Sequence, residues 1–174
     1  MARNDLSMTG VALTFPDTEI IVSKTDAKGR LTYVNDIFSD VSGYREDEVL
    51  GEPHSLIRHP DMPRCVFKLL WDTIQNGEEV FAYVNNRAKN GDHYWVLAHM
   101  TPTLAADGSI AGYHSSRRSP RQDAVAAIEP VYETLRGIET RTFDRKAGLE
   151  QSTAALHGLL EEKGVSYDQF VLAI

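Results

Sequence analysis

Glycine-containing turn signals cut much of the chain into short segments, and this division limits the possible folds more than any other feature of the sequence. Residues 19–25 and 30–35 have the composition of two strands, and the turn between them ends in Gly29, which suits a tight hairpin. Two short helical segments follow at 36–41 and 45–50, and a glycine closes each of them. The sequence therefore predicts a hairpin that leads into a row of very short helices.

A longer helix is predicted next, from Asp61 to Asn76. Asp61 can cap its N-terminus, Pro63 suits its first turn, and apolar residues recur behind them at helical spacing. Three strands should follow, separated by turn signals at 89–92 and 107–108. Their predicted residues are 79–87, 93–104 and 110–117. This order of elements predicts an α+β fold, in which short helices pack on one face of a five-stranded antiparallel sheet.

The remainder of the chain is predicted to be helical. After Pro120, apolar residues recur on one face as far as Ile138, and Pro130 should kink or split this helix. A second helix is predicted at 144–162, and a short segment at 167–174 closes the chain. The predicted division is an N-terminal extension at 1–17, one α+β domain at 18–119 and a C-terminal helical extension at 120–174.

Composition excludes several classes of protein. Hydrophobic residues make up 42% and charged residues 25% of the 174 residues, which is typical of a folded chain rather than a disordered one. The net charge of -7 opposes a nucleic-acid partner. No stretch approaches the roughly 18 consecutive apolar residues of a membrane span, and the polar N-terminus is unlike a signal peptide. A single cysteine, Cys65, cannot form an internal disulfide, so we expect a cytoplasmic protein without a membrane span.

Alternation along the last strands divides their side chains between two faces. The more apolar set, which we expect to face the core, is Tyr94, Val96, Ala98 and Met100. The aromatic and aliphatic side chains left on the opposite face are Phe81, Tyr83, Trp95 and Leu97. An apolar patch of this size should be covered, either by a second subunit in a homodimer, by the N-terminal segment 11–15, or by the C-terminal helices.

Five strings in the chain carry a resemblance to a known family. They are YVND (Tyr33–Asp36), SGY (Ser42–Tyr44), GEPHSLIRHPDMP (Gly51–Pro63), NRAKNGDHYWV (Asn86–Val96) and GYHSSR (Gly112–Arg117). With the order of elements, they resemble PAS domains, and more narrowly the flavin-binding PAS domain of bacterial aerotaxis receptors, over residues 19–135. The resemblance implies that FAD sits in the cleft between sheet and helices and that its redox state reports oxygen or electron-transport activity. It also implies a signalling partner such as a chemoreceptor or a kinase.

The resemblance implies that six residues contact the cofactor: Asn35, Arg58, His59, Asp61, Trp71 and Asn86. Arg58 and His59 stand just before a predicted helix N-terminus, where backbone N–H groups favour an anion such as a pyrophosphate. The residues alone also permit a cap by Asp61 and an ion pair of Arg58 with a surface acid. They likewise leave Trp71 open between core packing and cofactor contact, and Asn86 between a flavin edge and nearby backbone.

Six histidines permit a haem-binding alternative, because one neutral imidazole suffices as a proximal ligand. They are His54, His59, His93, His99, His114 and His157. His93 and His99 stand six positions apart on one predicted strand, which is too far for adjacent metal ligands. Light-sensing PAS relatives form a flavin adduct through a cysteine in a particular helix motif. Cys65 stands outside such a motif, so we expect an ordinary cysteine.

Three hypotheses for the function follow. The first is a stand-alone, cytoplasmic PAS sensor that binds FAD and passes its redox state to a partner without enzymatic turnover. The second is a cofactor-free PAS interaction or dimerisation adaptor, which is favoured by Glu79-Val80 at the place where these relatives usually have Pro-Trp. A haem-binding PAS gas sensor is a separate alternative. The third is a small enzyme, for which the sequence offers no constellation of acid, base and nucleophile. We therefore expect a sensor and no enzyme.

Overall fold

The computed structural model describes residues 7–174, and their elements follow the order that the turn signals predict. The strands are β1 (Ile21–Asp26), β2 (Leu31–Val34), β3 (Val80–Arg87), β4 (His93–Leu104) and β5 (Ile110–Arg118). The helices are α1 (Asp36–Ser42), α2 (Glu46–Val49), α3 (Arg64–Gln75), α4 (Gln122–Arg141), α5 (Arg145–Lys163) and α6 (Tyr167–Leu172), with a 3₁₀ turn at His54–Ile57. The predicted α+β fold is confirmed, and the 3₁₀ turn is an addition to it.

The five strands form one antiparallel sheet in the order β2-β1-β5-β4-β3. β5, the last strand in the chain, lies in the centre, and β3 forms an edge. The register places Ala98 of β4 opposite Arg117 of β5, and Asn86 of β3 opposite Tyr94 of β4. Because paired residues share a face and side chains alternate along a strand, all four side chains point to the same side of the sheet.

This inner face of the sheet carries the hydrophobic core, and the predicted division of β4 is confirmed. Tyr94, Val96 and Ala98 are each at most 2% exposed. They pack in the same core as the buried face of α3, which includes Leu70. Met100, the fourth residue predicted to face inward, is only partly buried because it borders a cavity.

α3 begins differently from the helix that the sequence predicts. Its N-cap is Pro63, which has no side-chain acceptor, so the prediction that Asp61 caps this helix is wrong. The first two backbone N–H groups of α3, on Arg64 and Cys65, donate instead to the carboxylate of Glu139 at 2.9 Å each. The cap therefore comes from α4, about 75 residues further along the chain.

The C-terminal helices cover the outer face and the free edge of the sheet at β3. The ring of Tyr132 stacks on Trp95 with 6.2 Å between centroids, and its hydroxyl donates to the backbone carbonyl of Tyr83 at 2.8 Å. Asp168 of α6 accepts the backbone N–H of Phe81 at 2.9 Å. These contacts satisfy backbone groups that an edge strand otherwise leaves open. Of the covers left possible by the sequence, the chain's own C-terminal helices are the one seen at this face.

α4 and α5 form a helical hairpin whose caps follow local sequence rules. Pro130 is predicted to kink or split α4; the helix runs unbroken through Pro130, so it is not split there. Asp144 caps α5 by accepting two backbone N–H groups, at 2.7 and 3.0 Å. Gly164 ends α5 in the left-handed conformation, with φ of 65°. The predicted second helix is thereby confirmed.

The N-terminal segment lies against the first residue of β4. The backbone N–H of His93 donates to Val11 at 2.9 Å, and its carbonyl accepts from Leu13 at 2.7 Å. Phe15 reaches the core. Residues 1–6 of the predicted extension lie outside the described residues, and the predicted domain boundaries stay predictions. Within residues 7–174, no helix is both long and apolar enough to cross a membrane.

Candidate functional site

A cavity of about 250 Å³ lies between the inner face of the sheet, α3 and the segment that includes the 3₁₀ turn. From the sheet it is lined by Ser23, Thr25, Val84, Asn86, Ala98, Met100, Tyr113, His114, Ser115 and Arg117. From helices and loops it is lined by Lys28, Gly29, Pro53, His54, Ser55, Ile57, Arg58, Phe67, Leu70, Trp71 and Ile74. Apolar and aromatic walls with a few polar groups are typical of a small-molecule site.

Trp71 of α3 closes one side of the cavity against the turn between β1 and β2. Its ring meets the ring of Tyr113 edge to face, with 5.3 Å between centroids. Gly29 lies against the indole, because a Cβ atom at this position would stand 2.8 Å from Cη2 of Trp71. Gly29 also has φ of 75°, which disfavours any side chain. The turn glycine therefore serves both the hairpin and the placement of Trp71.

Three polar side chains, from β1, β5 and the 3₁₀ turn, form a cluster in the cavity wall. The Arg117 guanidinium donates to Ser23 Oγ, and its Nη1 lies 3.5 Å from His54 Nε2. Ser23 Oγ lies 3.0 Å from the same histidine nitrogen. Because Ser23 accepts from a guanidinium, its own proton is free to be donated to His54. A chain of hydrogen bonds therefore runs from the Arg117 guanidinium through the Ser23 hydroxyl to Nε2 of the neutral His54 imidazole.

Arg117 brings a positive charge into this cavity without a counter-ion. The side chain is 2% exposed, and among residues 7–174 it forms no ion pair with a carboxylate. Burial lowers the pKa of Arg117 to about 10. Burial, reinforced by the charge of Arg117, lowers the pKa of His54 to about 3. A buried cation of this kind is costly, and an anionic ligand or one that gains negative charge offsets the cost.

Further polar atoms of the cavity wall have no partner of their own. Asn86 Nδ2, Thr25 Oγ1 and Arg117 Nε are buried and form no hydrogen bond with any described residue. Native structures rarely leave buried donors and acceptors unpaired, and each exception calls for a physical reason. Three such atoms around one cavity fit a planar ligand with polar edges, since the donors and acceptors of the ligand would supply the missing hydrogen bonds.

Arg58 lies on the opposite wall and is half-buried. Its guanidinium carbon stands 3.9 Å from the centre of the Phe67 ring, and its Nη2 donates to the carbonyl of Met62 at 3.4 Å. The backbone of Arg58 also forms an antiparallel bridge with Asn86. Burial lowers the pKa of Arg58, although the guanidinium stays charged. The stacked ring and the backbone bridge therefore hold a cation in the cavity lining.

Three of the six residues predicted to contact a cofactor, Arg58, Trp71 and Asn86, line the cavity, and the other three do not. The side chain of Asn35 is used up by bonds to backbone groups of β1, α1 and the residue before β1. His59 accepts the backbone N–H of Asp61 at 3.1 Å, and its ring packs on His93. Asp61 pairs with α4. These three side chains therefore fix segments next to the cavity and do not line it.

Arg117, Ser23 and His54 are the site residues that the sequence did not single out. In the sequence, Arg117 stands only as the last residue of the string GYHSSR. A usable signal existed, because strand alternation puts Arg117 on the same face as Tyr113 and Ser115. A charged residue on the core face of a central strand is rare without a partner or a ligand.

A five-stranded antiparallel sheet with short helices and a cavity on one face defines the class of protein. The family model described as PAS fold matches residues 31–116. Residues 31–116 therefore form a PAS domain, as the motifs between Tyr33 and Arg117 predict.

Within that class, the chain is similar to regions of bacterial sensory and regulatory proteins. It is 43% identical to the aerotaxis receptor of Escherichia coli strain K12 over 124 residues, which are 71% of this chain and 24% of the receptor. It is 27% identical to the nitrogen fixation regulatory protein of Klebsiella pneumoniae over 99 residues, 57% of this chain and 20% of that protein. The predicted resemblance to aerotaxis receptors is confirmed, and the chain spans about a quarter or less of the length of these relatives.

Solved structures support the same fold. The light-state structure of the blue-light photoreceptor Aureochrome1 LOV has a TM-score of 0.57 at 22% identity and covers 63% of this chain and 88% of its own. An RNA-binding Light-Oxygen-Voltage receptor has a TM-score of 0.54 at 18% identity and covers 80% of this chain and 34% of its own. At these identities the likeness concerns the fold alone, and it confirms the PAS architecture.

Proposed function

We propose that this chain is a PAS sensor that binds a flavin, specifically FAD, in the cavity and passes the redox state of that flavin to a signalling partner. The observation that carries the proposal is the buried charge of Arg117, which has no carboxylate partner among the described residues. A bound flavin supplies reversible electron transfer and gains negative charge when it is reduced. The buried guanidinium supplies the positive potential that stabilises such a charge.

The wall of the cavity fits the ring system of a flavin. Trp71 and Phe67 offer aromatic surfaces, while Asn86 offers an amide whose Nδ2 is unpaired in the described residues. Arg58 and Lys28 also line the cavity and can hold the phosphates of the dinucleotide by charge. Asn35, His59 and Asp61, which the family resemblance also implicates, support this site by fixing the neighbouring segments.

The comparisons support a flavin without distinguishing FAD from FMN. The aerotaxis receptor, at 43% identity, is a relative whose name refers to responses to oxygen. A structure similar to this one was described in work on a flavin analogue in a Light-Oxygen-Voltage domain, with a TM-score of 0.56. We propose FAD because the resemblance to the PAS domain of aerotaxis receptors implies it, whereas Arg58 and Lys28 would hold the phosphates of either flavin.

The proposed role is sensing, and the partner that we propose is a chemoreceptor or a kinase. Relatives of this chain include an aerotaxis receptor and a blue-light-activated histidine kinase. Signalling requires that the two redox states make different contacts with the protein, because a ligand shifts an equilibrium only through a difference in affinity. Arg117 and Asn86 are the residues that we expect to sense this difference. We further propose a cytoplasmic homodimer.

The test is an absorption spectrum of the freshly purified chain, followed by release of any chromophore and its identification as FAD or FMN. Protein without chromophore is then titrated with FAD. We expect flavin bands, FAD in the released fraction, and uptake that falls at least tenfold in Arg117→Met while Arg118→Met, an exposed neighbour, binds as the wild type does.

Three outcomes would contradict this proposal in different ways. A haem spectrum would replace the flavin and direct attention to His54 as a cavity-lining histidine. FMN in the released fraction would correct the identity of the flavin only. A colourless protein that takes up neither flavin would overturn the proposal and favour the cofactor-free adaptor.

A further inference from the structure

One carboxylate joins three helices at the start of α3. Glu139 of α4 is 7% exposed and accepts the backbone N–H groups of Arg64 and Cys65 at 2.9 Å each. It also accepts Nε of Arg64 at 3.0 Å and the hydroxyl of Ser152, on α5, at 2.9 Å. All four bonds converge on two oxygen atoms, so this carboxylate is saturated with donors.

The Glu139 carboxylate takes the place of the side-chain N-cap that α3 lacks. Pro63 provides no side-chain cap, and a helix N-terminus exposes unpaired N–H groups and a partial positive charge. Burial by itself would raise the pKa of Glu139, but the bonds from Arg64, Cys65 and Ser152 outweigh this effect and the pKa lies below its ordinary value. The ionised carboxylate is therefore the species that holds α4 on the sensor domain.

α3 is the element that the cavity and the C-terminal helices share. From α3, the side chains of Phe67, Leu70, Trp71 and Ile74 line the cavity. The first two amides of the same helix are held by α4 through Glu139. A displacement of α3 that accommodates a ligand therefore changes the geometry of the bonds to Glu139, because the helix moves as a rigid element.

From this junction we propose that helices α4 to α6 dock reversibly on the PAS domain, and that Glu139 is the latch through which the state of the cavity controls the docking. The ligand in this statement rests on the proposed function, whereas the latch itself rests on contacts within the chain. Release of the latch would expose Trp95 and the backbone edge of β3, which Tyr132 and Asp168 now cover. An exposed strand edge with an adjacent aromatic is a surface that partners can bind.

The test is hydrogen exchange followed residue by residue in the full chain without added ligand, for wild type, Glu139→Gln and Glu133→Gln. Glutamine keeps the shape of Glu139 but turns one acceptor into a donor that faces the N–H groups of α3. We expect exchange to rise about tenfold in α4, α5 and the amides of Arg64 and Cys65, as for loss of a helix cap, while central strands β4 and β5 stay protected. Glu133→Gln, an exposed change on the same helix, should match wild type.

Two results of this comparison would overturn the latch. Equal exchange in Glu139→Gln and wild type would show that the carboxylate does not hold the helices. An equal rise throughout the sheet would make Glu139 a determinant of global stability only. If Glu139→Gln fails to fold, Ser152→Ala removes one of the four donors and should give the same pattern with a smaller rise.

A second arm adds FAD and separates the latch from the proposed ligand. We expect FAD to change exchange in α4 and α5 at least threefold in wild type and to have no such effect there in Glu139→Gln, because coupling between two sites requires the connection. FAD that binds wild type without changing exchange in these helices would overturn the coupling. A wild type that takes up no FAD would contradict the proposed function, while the comparison without ligand still decides whether Glu139 latches the helices.

Discussion

The fold surrounds two of its buried charges, Glu139 and Arg117, in opposite ways. Glu139, at the junction of three helices, accepts four hydrogen bonds, three of which come from Arg64 and Cys65 at the start of α3. Arg117, in the cavity wall, donates to Ser23 but has no carboxylate partner in the part of the chain that the structure describes. A buried charge with a complete set of hydrogen-bond partners stabilises the packing of the elements that meet there. A buried charge without a counter-ion is instead a candidate ligand-binding group.

Removing the satisfied charge should have the largest effect on stability. Glu139→Ala leaves two backbone N–H groups of α3 and Nε of Arg64 without their acceptor. We expect the free energy of unfolding to fall by about 3 kcal/mol, as when one partner of a buried ion pair is removed. Urea denaturation of Glu139→Ala and of the exposed control Glu133→Ala measures it. Equal unfolding midpoints for the two variants would show that Glu139 contributes no more to stability than the exposed Glu133 does.

Removing the charge of Arg117 should instead raise the stability of the free protein. Arg117→Met keeps a long side chain but removes an uncompensated cation, so without ligand we expect the free energy of unfolding to rise by about 2 kcal/mol. The same change should weaken FAD binding, which separates a functional residue from a stabilising one. Thermal unfolding with and without FAD measures both effects, with Arg118→Met as the control. If Arg117→Met destabilises the free protein as much as Glu139→Ala does, the contrast between the two charges is lost.

The contrast also explains which parts of the molecule could be predicted from the sequence. The strands and short helices follow local signals, such as Gly29 in the hairpin turn and the alternation along β4, and these signals act within a few residues. Asn86 and Trp71 also lie on predictable faces of their elements, but it is the family resemblance, and not the local pattern, that implies their contact with a cofactor.

The junction at Glu139 could not be predicted in this way. Its partners on α3 stand about 75 residues away in sequence, and the local pattern around Asp61 offered a nearer acceptor for the same N–H groups. Helix α3 begins at Arg64, too far along the chain for that local cap. The choice of Glu139 depends on where α4 packs, which no periodicity within α3 or α4 reveals.

Acid should place a second positive charge beside Arg117. Folding lowers the pKa of His54 from about 6.5 to about 3, so the unfolded chain binds the additional proton between these values. Stability from this histidine is complete above pH 6.5 and declines as the pH falls toward 3. Between pH 6.5 and pH 5 we expect a loss of about 1 to 2 kcal/mol that His54→Gln does not show.

Denaturation at several pH values measures this loss, with His157→Gln as an exposed control that should keep the slope of the wild type. His59 adds to the slope in all three proteins, because burial lowers its pKa to about 4. Identical slopes for wild type and His54→Gln would mean that folding does not lower the pKa of His54.

An effect no larger than that of His54 is expected from a change that alters the cavity without altering either charge. Gly29→Ala places a methyl group against Trp71 and forces alanine into a left-handed conformation, which together cost about 1 to 2 kcal/mol. Because Trp71 is displaced, its fluorescence should change and FAD uptake should weaken. Gly108→Ala, at another turn with φ of 84° but with open space around it, carries the backbone cost alone. If both variants bind FAD equally, Trp71 does not shape the ligand site, and the charge of Arg117 would have to account for binding by itself.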